Sequence, residues 1–202
     1  MFIFDFDGVI CDSFETVVAA FQQITGIDPL KEPLRYQIDH LRTLDTFEAF
    51  QHLGIKKYQI PMAVLKLRKM MKTKIPFLKP VATIDHVLKT LHERKVKMSI
   101  VSTNSEENIK DFLVRNQIDY FDFIYSAGLF NKGKILKRII SGKNQDPKNV
   151  FYIGDQTRDI IASRQANVRS IAVTWGYNDE TALLKHHPDY LIRTPMELLA
   201  IG

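Results

Sequence analysis

The sequence predicts an α/β protein: a doubly wound parallel sheet forms the core, and an all-helical segment is inserted after the first strand. Two observations support this fold class. From residue 80 onward, short apolar segments typical of buried strands alternate with helical segments. Between residues 14 and 75, no strand pattern interrupts the helical ones. We therefore expect a core domain of residues 1–13 and 80–202 and a helical domain of residues 14–79.

The bulk composition narrows the class of protein. A chain of 202 residues can bury one sizeable core and a small additional domain. Its 45% hydrophobic and 25% charged residues are typical of globular proteins, and no apolar stretch reaches the roughly 18 residues that a membrane span needs. Cys11 is the single cysteine, which excludes an intramolecular disulfide. The sequence shows no signal peptide, so we expect a cytoplasmic protein without a membrane partner.

The net charge of +5 is concentrated in the helical segment. Residues 14–79 hold eleven of the 28 Lys and Arg residues and six of the 23 Asp and Glu residues, so the rest of the chain is neutral. A basic segment suits an anionic substrate or nucleic acid, and an ordinary solvated helical surface is the alternative. The helices lack the basic and aromatic stacking platform with which proteins bind single strands. We therefore expect no nucleic-acid partner.

Two carboxylates follow the first predicted strand. Residues 2–6 are predicted to form a buried parallel strand, because both faces carry apolar side chains. Asp5 and Asp7 lie at its carboxyl end, where open α/β sheets bind their ligands, and Gly8 permits a sharp turn. Two acids this close repel each other unless a cation or a proton lies between them.

The helical segment divides into four predicted helices. Ser13 and Asp45 are candidate N-caps, Gly26 and Gly54 are stop signals, and the turns Asp28-Pro29 and Glu32-Pro33 separate the first two helices. The predicted helices span residues 13–26, 34–41, 45–53 and 61–74, the last of which is the most basic. Residues 75–80 contain two prolines and are interpreted as the return linker.

Helix and strand patterns alternate through the remaining chain. Predicted strands span residues 97–101, 120–125, 150–153 and 169–173, with a last extended piece at residues 190–192. Predicted helices span residues 81–94, 106–116, 132–141, 157–166, 180–184 and 195–201. The loop Trp175-Gly176-Tyr177 follows the last main strand, so we expect it near the rim of a site at the carboxyl edge.

Further polar residues follow the later strands. Ser102, Thr103 and Asn104 can supply hydroxyl and backbone hydrogen-bond donors to an anion, although such residues after a strand usually cap a helix, and Ser105 is an alternative cap. Asp155 and Asp159 are four residues apart and share a face if a helix begins near residue 156. Oxygen ligands of this kind suit a hard cation such as Mg²⁺, whereas the histidines show no metal-ligand spacing.

Four motifs, in order along nearly the whole chain, resemble those of the haloacid dehalogenase-like superfamily. Residues 5–13 match the opening motif DxDGxxxDS, and Ser102 matches the second motif, a serine or threonine that ends an apolar strand. Phe130-Asn131-Lys132 is similar to the third motif, which favours Lys132 over Lys134 as its lysine. Residues 154–159 match the fourth motif, GDxxxD.

The resemblance implies roles for the first two acids and for the phosphate-binding residues. Asp5 would be the nucleophile that forms an aspartyl-phosphate, and Asp7 the general acid and base. Ser102 and Lys132 would hold the phosphoryl oxygens, assisted by Thr103 and Asn104.

It also implies a metal site. Asp5, the backbone carbonyl of Asp7 and Asp155 would bind Mg²⁺. Asp159 would bind the metal through water or pair with Lys132.

The implied activity is Mg²⁺-dependent hydrolysis of a small phosphorylated metabolite, most similar to phosphoglycolate-phosphatase-type members, by a monomer or homodimer. Residues 14–79 would form a small helical cap over the site, and cap cations there would favour a second anionic group on the substrate. Hexose-phosphate mutases share the motifs, and phosphonate-cleaving relatives use a cap lysine, so both remain alternatives. Dehalogenation is disfavoured because dehalogenating relatives lack an acid at the position of Asp7. A non-catalytic binding or regulatory protein with this fold is the alternative from another class.

Overall fold

The computed structural model describes residues 1–26, 34–128, 131–143 and 145–201, and the side chains of residues 34–38 are not described. The predicted turns at Asp28-Pro29 and Glu32-Pro33, and Phe130 of the third motif, lie outside the described residues. None of the described helices is long and apolar enough to cross a membrane.

Six parallel strands form one sheet, which confirms the predicted fold class. Its spatial order is β3-β2-β1-β4-β5-β6. The strands are β1 (Phe2–Phe4), β2 (Met98–Ser102), β3 (Ile124–Ser126), β4 (Phe151–Gly154), β5 (Arg169–Val173) and β6 (Tyr190–Ile192). In the central strand, Phe4 is aligned with Ile100 on one side and with Ile153 on the other.

The helices agree with the predicted alternation. They are α1 (Phe14–Thr25), α2 (Leu34–Thr43), α3 (Thr46–His52), α4 (Ile60–Lys74), α5 (Ile84–Glu93), α6 (Glu106–Arg115), α7 (Lys132–Gly142), α8 (Thr157–Ala166) and α9 (Glu180–Leu184). Short 3₁₀ turns cover Lys57–Gln59, Ile75–Phe77, Pro147–Asn149 and Pro195–Ala200, so the terminal helix predicted over residues 195–201 is a 3₁₀ helix.

Both faces of the sheet are covered, as a doubly wound fold requires. Phe4 packs in a buried cluster with Leu88 of α5 and Phe112 of α6. Ile3, whose side chain points to the opposite face, packs in a second cluster with Leu136 of α7. Helices therefore cover both faces of β1, which explains why both faces of this strand carry apolar side chains.

The first strand is shorter than predicted, and the difference shapes the site. The carbonyl oxygen of Phe6 accepts hydrogen bonds from the amides of Ile10 and Cys11, so the chain turns away from the sheet after Asp5. Gly8 adopts φ 78°, a backbone conformation that is strained for residues with a side chain. This turn brings Asp5 and Asp7 to the sheet edge.

Helices α1 to α4 pack around their own buried cluster, which includes Val17, Phe21, Leu41, Phe50 and Met71. This cluster is separate from the two clusters that flank the sheet. A domain needs its own hydrophobic core, so this packing supports the proposed division into a core and a helical cap of residues 14–79.

Candidate active site

The site lies where the order of the strands reverses. The chain connects β1 to β2 on one side, whereas β4 pairs with β1 on the other, and ligands bind at the carboxyl ends of strands at such a switch point. Asp5 follows β1, Ser102 ends β2 and Asp155 follows β4. Three neighbouring strands thus bring polar side chains to one place.

A buried lysine joins two of the acids. Lys132 begins α7, and its Nζ donates to Oδ2 of Asp5 and to Oδ1 of Asp159, each at 2.7 Å. All three residues are buried. Removal of three charges from water is costly unless they pair and hydrogen-bond, and here the lysine is paired with both acids. Lys134, the other candidate lysine, is exposed to solvent.

Asp5 and Asp159 use their remaining oxygens to accept backbone hydrogen bonds. Oδ1 of Asp5 accepts from the amide of Phe6 at 2.7 Å, and Oδ2 of Asp159 accepts from the amide of Gln156 at 3.0 Å. Burial raises the pKa of Asp159, and the positive charge of Lys132 opposes that rise. Of the two contacts expected for Asp159, the structure shows the pairing with Lys132.

Asp155 has an oxygen without a partner. Its Oδ2 accepts from the amide of Tyr177 at 2.7 Å, whereas Oδ1 is buried and makes no hydrogen bond. Burial raises the pKa of Asp155 well above its usual value, and the neighbouring charges of Asp159 and Asp5 raise it further. A buried carboxylate oxygen in this setting needs a proton or a cation.

The three carboxylates fit a divalent cation. One oxygen from each of Asp5, Asp155 and Asp159 lies within 4.8 Å of the others. An all-oxygen donor set suits Mg²⁺. A β-carbon at Gly8 or Gly176 would overlap the Asp155 side chain, so two glycines allow the backbone to close around this carboxylate.

Asp7 lies beside the triad in its own hydrogen-bond network. Its Oδ1 accepts from the hydroxyl of Ser13 at 2.9 Å, and its Oδ2 accepts from Nδ2 of Asn104 at 3.0 Å. Burial, followed by the negative charge of Asp5, raises the pKa of Asp7 to about 6, although these two hydrogen bonds oppose the rise. Asp7 can therefore hold or release a proton near neutral pH.

Ser13 lies at the predicted N-cap position of α1, but its side chain does not cap the helix. Ser13 makes no side-chain capping bond, because its hydroxyl is directed to Asp7 and lies 3.1 Å from the hydroxyl of Tyr177. Tyr177 also packs its ring 4.7 Å from that of Phe14. The loop that contains Tyr177 therefore lies at the site, as predicted.

Ser102 and Asn104 occupy different environments after β2. Ser105 accepts from the amide of Asn108 and caps α6, so Ser102 is not needed as a cap and lies buried at the strand end. The Asn104 side chain is held by Ser105 and Asn108, and its amide nitrogen is directed to Asp7. Asn104 thus fixes Asp7, a contact that the sequence pattern did not indicate.

Helical-cap residues contact the loops above the sheet. Nε of Arg68 in α4 donates to the carbonyl of Thr103 at 2.6 Å, and its Nη2 donates to the carbonyl of Ala127 at 3.0 Å. Arg42 in α2 donates to the carbonyl of Thr174 at 2.9 Å. These contacts place the cap over the carboxyl ends of the strands.

A cavity of about 130 Å³ lies between the cap and the core. The core lines it with polar side chains, which include Asp7, Thr103, Asn104 and Arg158. The cap lines it mostly with apolar side chains, which include Val17, Val18, Phe21, Leu41, Phe50 and Met71. The cavity therefore has a polar end next to Asp7 and an apolar end inside the cap.

The sequence left open whether the cap cations serve an anionic substrate or form a solvated helical surface, and the positions of the described cap lysines agree with the second alternative. Seven cap lysines are exposed, namely Lys56, Lys57, Lys66, Lys69, Lys72, Lys74 and Lys79. Arg68 is the one cation among the described cap residues that lines the cavity. Long charged side chains reach water readily from a helix surface, which explains why the lysines do not point inward.

The fold and the site together define an α/β enzyme with a lysine-bridged acidic centre at the switch point of a parallel sheet. Residues 2–173 match the family described as haloacid dehalogenase-like hydrolase. The chain belongs to this family, and it is a phosphatase of the family.

Similar proteins agree over nearly the full length. The phosphoglycolate phosphatase of Synechococcus elongatus is 33% identical over 98% of this chain and 94% of its own length. The pyrophosphatase PpaX of Bacillus pumilus is 23% identical over 98% of this chain and 94% of its own length. A solved haloacid dehalogenase-like hydrolase from Streptococcus pneumoniae has a TM-score of 0.78 at 24% identity, covering 98% of this chain and 96% of its own.

Proposed function

We propose that this phosphatase is a Mg²⁺-dependent phosphomonoester hydrolase that acts on a small phosphorylated metabolite through an aspartyl-phosphate on Asp5. One observation carries the proposal. Asp5 is buried against Lys132 beside Asp155, whose carboxylate has a buried oxygen without a partner. Phosphoryl transfer requires fixed positive charge near the nucleophile, and here a buried lysine and an acid that can bind a cation lie next to the nucleophilic carboxylate.

In the first step, a carboxylate oxygen of Asp5 attacks the phosphorus atom. A bond forms between that oxygen and phosphorus while the ester P–O bond breaks. The leaving oxygen receives a proton from Asp7, whose pKa of about 6 allows the protonated form near neutral pH. Asp7 lines the cavity, so the leaving group lies on the cap side.

In the second step, Asp7 is a carboxylate and accepts a proton from water. The water oxygen bonds to phosphorus, the bond between phosphorus and Asp5 breaks, and inorganic phosphate and the free carboxylate result. Ser13 and Asn104 donate to the two Asp7 oxygens, and these hydrogen bonds orient the group for proton transfer.

The remaining residues neutralise and position charge. We assign Ser102 and Lys132 to the phosphoryl oxygens, with Thr103 and the backbone of Asn104 as further donors. Lys132 also fixes the Asp5 carboxylate. Asp5, Asp155 and the backbone carbonyl of Asp7 would hold Mg²⁺, with Asp159 behind them. When bound, the ion offsets the repulsion between the anionic nucleophile and the phosphate.

The test is hydrolysis of p-nitrophenyl phosphate by the purified protein with Mg²⁺, with Asp5→Asn as the comparison. We expect turnover by the wild type and none by the folded variant, because an amide is a poor nucleophile. Beryllium fluoride with Mg²⁺ should bind the wild type as an acyl-phosphate mimic. Turnover by Asp5→Asn close to the wild-type rate would refute the mechanism. No turnover and no beryllium fluoride binding by the wild type would favour a non-catalytic protein.

The substrate is then identified with a panel of small phosphorylated compounds. The relatives are named for phosphoglycolate and pyrophosphate, which are both small and each carry two anionic groups. Phosphoglycolate, pyrophosphate and a hexose phosphate form the panel, and release of inorganic phosphate is measured. Isomerisation of the hexose phosphate without phosphate release would favour the mutase alternative.

A further inference from the structure

Arg158 has buried hydrogen-bond donors without partners at the cavity wall. It lies in the first turn of α8, next to Asp159 in sequence, and its side chain lines the cavity. Its Nε and Nη1 are buried and make no hydrogen bond. An unpaired buried donor on a charged group is costly, and such groups in folded proteins usually have a ligand or functional role.

The position of Arg158 is on the leaving-group side of the site. Asp7, the proposed proton donor to the leaving oxygen, lines the same cavity. Arg158 is also close enough to Asp7 for its charge to act on that carboxylate. A substrate whose phosphoryl group contacts Asp5 would therefore extend its other end past Arg158.

Arg158 also differs from the other guanidinium at this cavity. Arg68 donates to the carbonyls of Thr103 and Ala127 and thereby joins the cap to the core. Among the described lining residues, these two arginines are the basic ones, and Arg158 is the one with unpaired buried donors. A guanidinium group forms its strongest hydrogen bonds with carboxylates and phosphates.

We propose that Arg158 binds an anionic group, a carboxylate or a phosphate, in the leaving part of the substrate and thereby determines specificity. This inference rests on the proposed function and names the substrate class of the same site. According to this inference, the second anion is recognised by one residue of the core and not by the exposed cap lysines.

The apolar end of the cavity limits where that anion lies. On the cap side, the lining includes Val17, Phe21 and Phe50, whose side chains offer a charge no hydrogen bond. A carboxylate or phosphate placed there would lose its hydration without compensation. The anion therefore lies next to Arg158, joined to the scissile phosphoryl group by a short linker or directly.

The test compares three substrates that differ in the leaving part: phosphoglycolate with a carboxylate, pyrophosphate with a phosphate, and ethyl phosphate with neither. Wild type, Arg158→Met and Arg158→Lys are assayed with Mg²⁺. Arg164→Met is the matched control, because Arg164 is an exposed arginine of the same helix. The measured quantities are kcat and KM for each pair.

We expect Arg158→Met to lower kcat/KM for one of the two anionic substrates by about 10- to 100-fold, mainly through KM, as for loss of a charged hydrogen bond. The value for ethyl phosphate should change by less than about threefold. Arg158→Lys should restore part of the loss, and Arg164→Met should match the wild type. Which anionic substrate responds identifies the carboxylate or the phosphate as the recognised group.

An equal loss for all three substrates would overturn the proposal, since it would assign Arg158 to the phosphoryl group or to folding. No preference of the wild type for either anionic substrate would overturn it as well. Binding measurements in the Asp5→Asn background need no turnover, so they test the role of Arg158 even if the proposed hydrolase mechanism fails. There, Arg158→Met should raise the Kd of the recognised substrate about tenfold or more and leave the Kd of ethyl phosphate unchanged; equal Kd changes would refute the inference.

Discussion

The two ends of the cavity differ in polarity. At the core end, Asp7 lines the cavity and is held by Ser13 and Asn104, and beside Asp7 the buried Lys132 joins Asp5 to Asp159. At the cap end, the walls are mostly apolar side chains that belong to the cap's own buried cluster. The core end is thus built for charge, and the cap end for exclusion of water.

This difference suggests that the groups that carry out the reaction are distinct from the group that selects the substrate. Preorganised charges act most strongly where water is excluded, so the apolar cap strengthens the electrostatics of the core end. Arg158 belongs to the core end, and among the described lining residues it is the cation whose buried donors have no partner. Changes at the other charged groups of the core end should therefore affect every substrate, and changes near Arg158 should affect substrates unequally.

Metal removal should have the largest effect. We expect EDTA to abolish phosphate release with every substrate and Mg²⁺ to restore it, because no cation then offsets the repulsion between the anionic nucleophile Asp5 and the anionic phosphate. Ca²⁺ should inhibit, since it is larger and accepts more oxygens, which would draw both Asp5 oxygens away from the attack geometry. Full activity after exhaustive chelation would contradict the metal assignment.

Loss of the bridging lysine should have the next largest effect. Lys132→Met leaves Asp5 and Asp159 buried without their shared counter-ion, so we expect kcat to fall by about 10²- to 10³-fold for all substrates. Lys134→Met is the matched control, since Lys134 lies two residues away and is exposed. Circular dichroism checks that the variant is folded. An unchanged kcat in folded Lys132→Met would remove this residue from the mechanism.

Substitution of Asp155 should raise the stability of the metal-free protein but abolish its activity. Its folded-state pKa is raised by burial, so the native state favours the protonated form, and the metal-free protein loses stability as pH rises above the ordinary Asp value. We expect Asp155→Asn to raise the Tm of the metal-free protein by about 2–6 °C and to abolish activity. In the wild type, the Tm increase caused by Mg²⁺ should be larger at pH 8 than at pH 5.5, because protons compete with the metal.

Thermal shift assays with EDTA or Mg²⁺ measure both effects, and the variant should show little Mg²⁺ response. A lower metal-free Tm for Asp155→Asn at pH 8 would contradict the argument that the buried carboxylate is unfavourable without a cation.

Three residues of the core end could be predicted from the sequence because each follows or ends a strand with a clear apolar pattern, whereas Lys132 was indicated by the resemblance to the family motif. Asp5, Ser102 and Asp155 each lie at the end of a short buried run, and parallel strands bring such ends together. The boundaries of α8, α9, β5 and β6 also agree with prediction. The roles of these residues in catalysis remain predictions.

The contacts of Ser13, Arg158 and the cap lysines could not be predicted, because these residues carry no local pattern that indicates them. Ser13 precedes a helix and has the chemistry of an N-cap, yet the turn after β1 directs its hydroxyl to Asp7. Arg158 occupies a variable position of GDxxxD, and its unpaired donors become visible only with the cavity. The cap's net charge is a property of composition, which does not specify which side of a helix each lysine occupies.

The smallest effect is expected for the cap lysines. Lys66 and Lys69 lie on α4 and are exposed, so water and salt screen their charges from the cavity. We expect the double variant Lys66→Gln, Lys69→Gln to change kcat/KM for phosphoglycolate by less than about twofold at 0.15 M salt, although low salt should reveal a modest decrease through slower association. Steady-state assays at both salt concentrations, with Arg158→Met in parallel, make the comparison direct. A loss for the lysine variant as large as that for Arg158→Met would return anion recognition to the cap surface, whereas a small, salt-sensitive loss leaves recognition with the guanidinium at the core end.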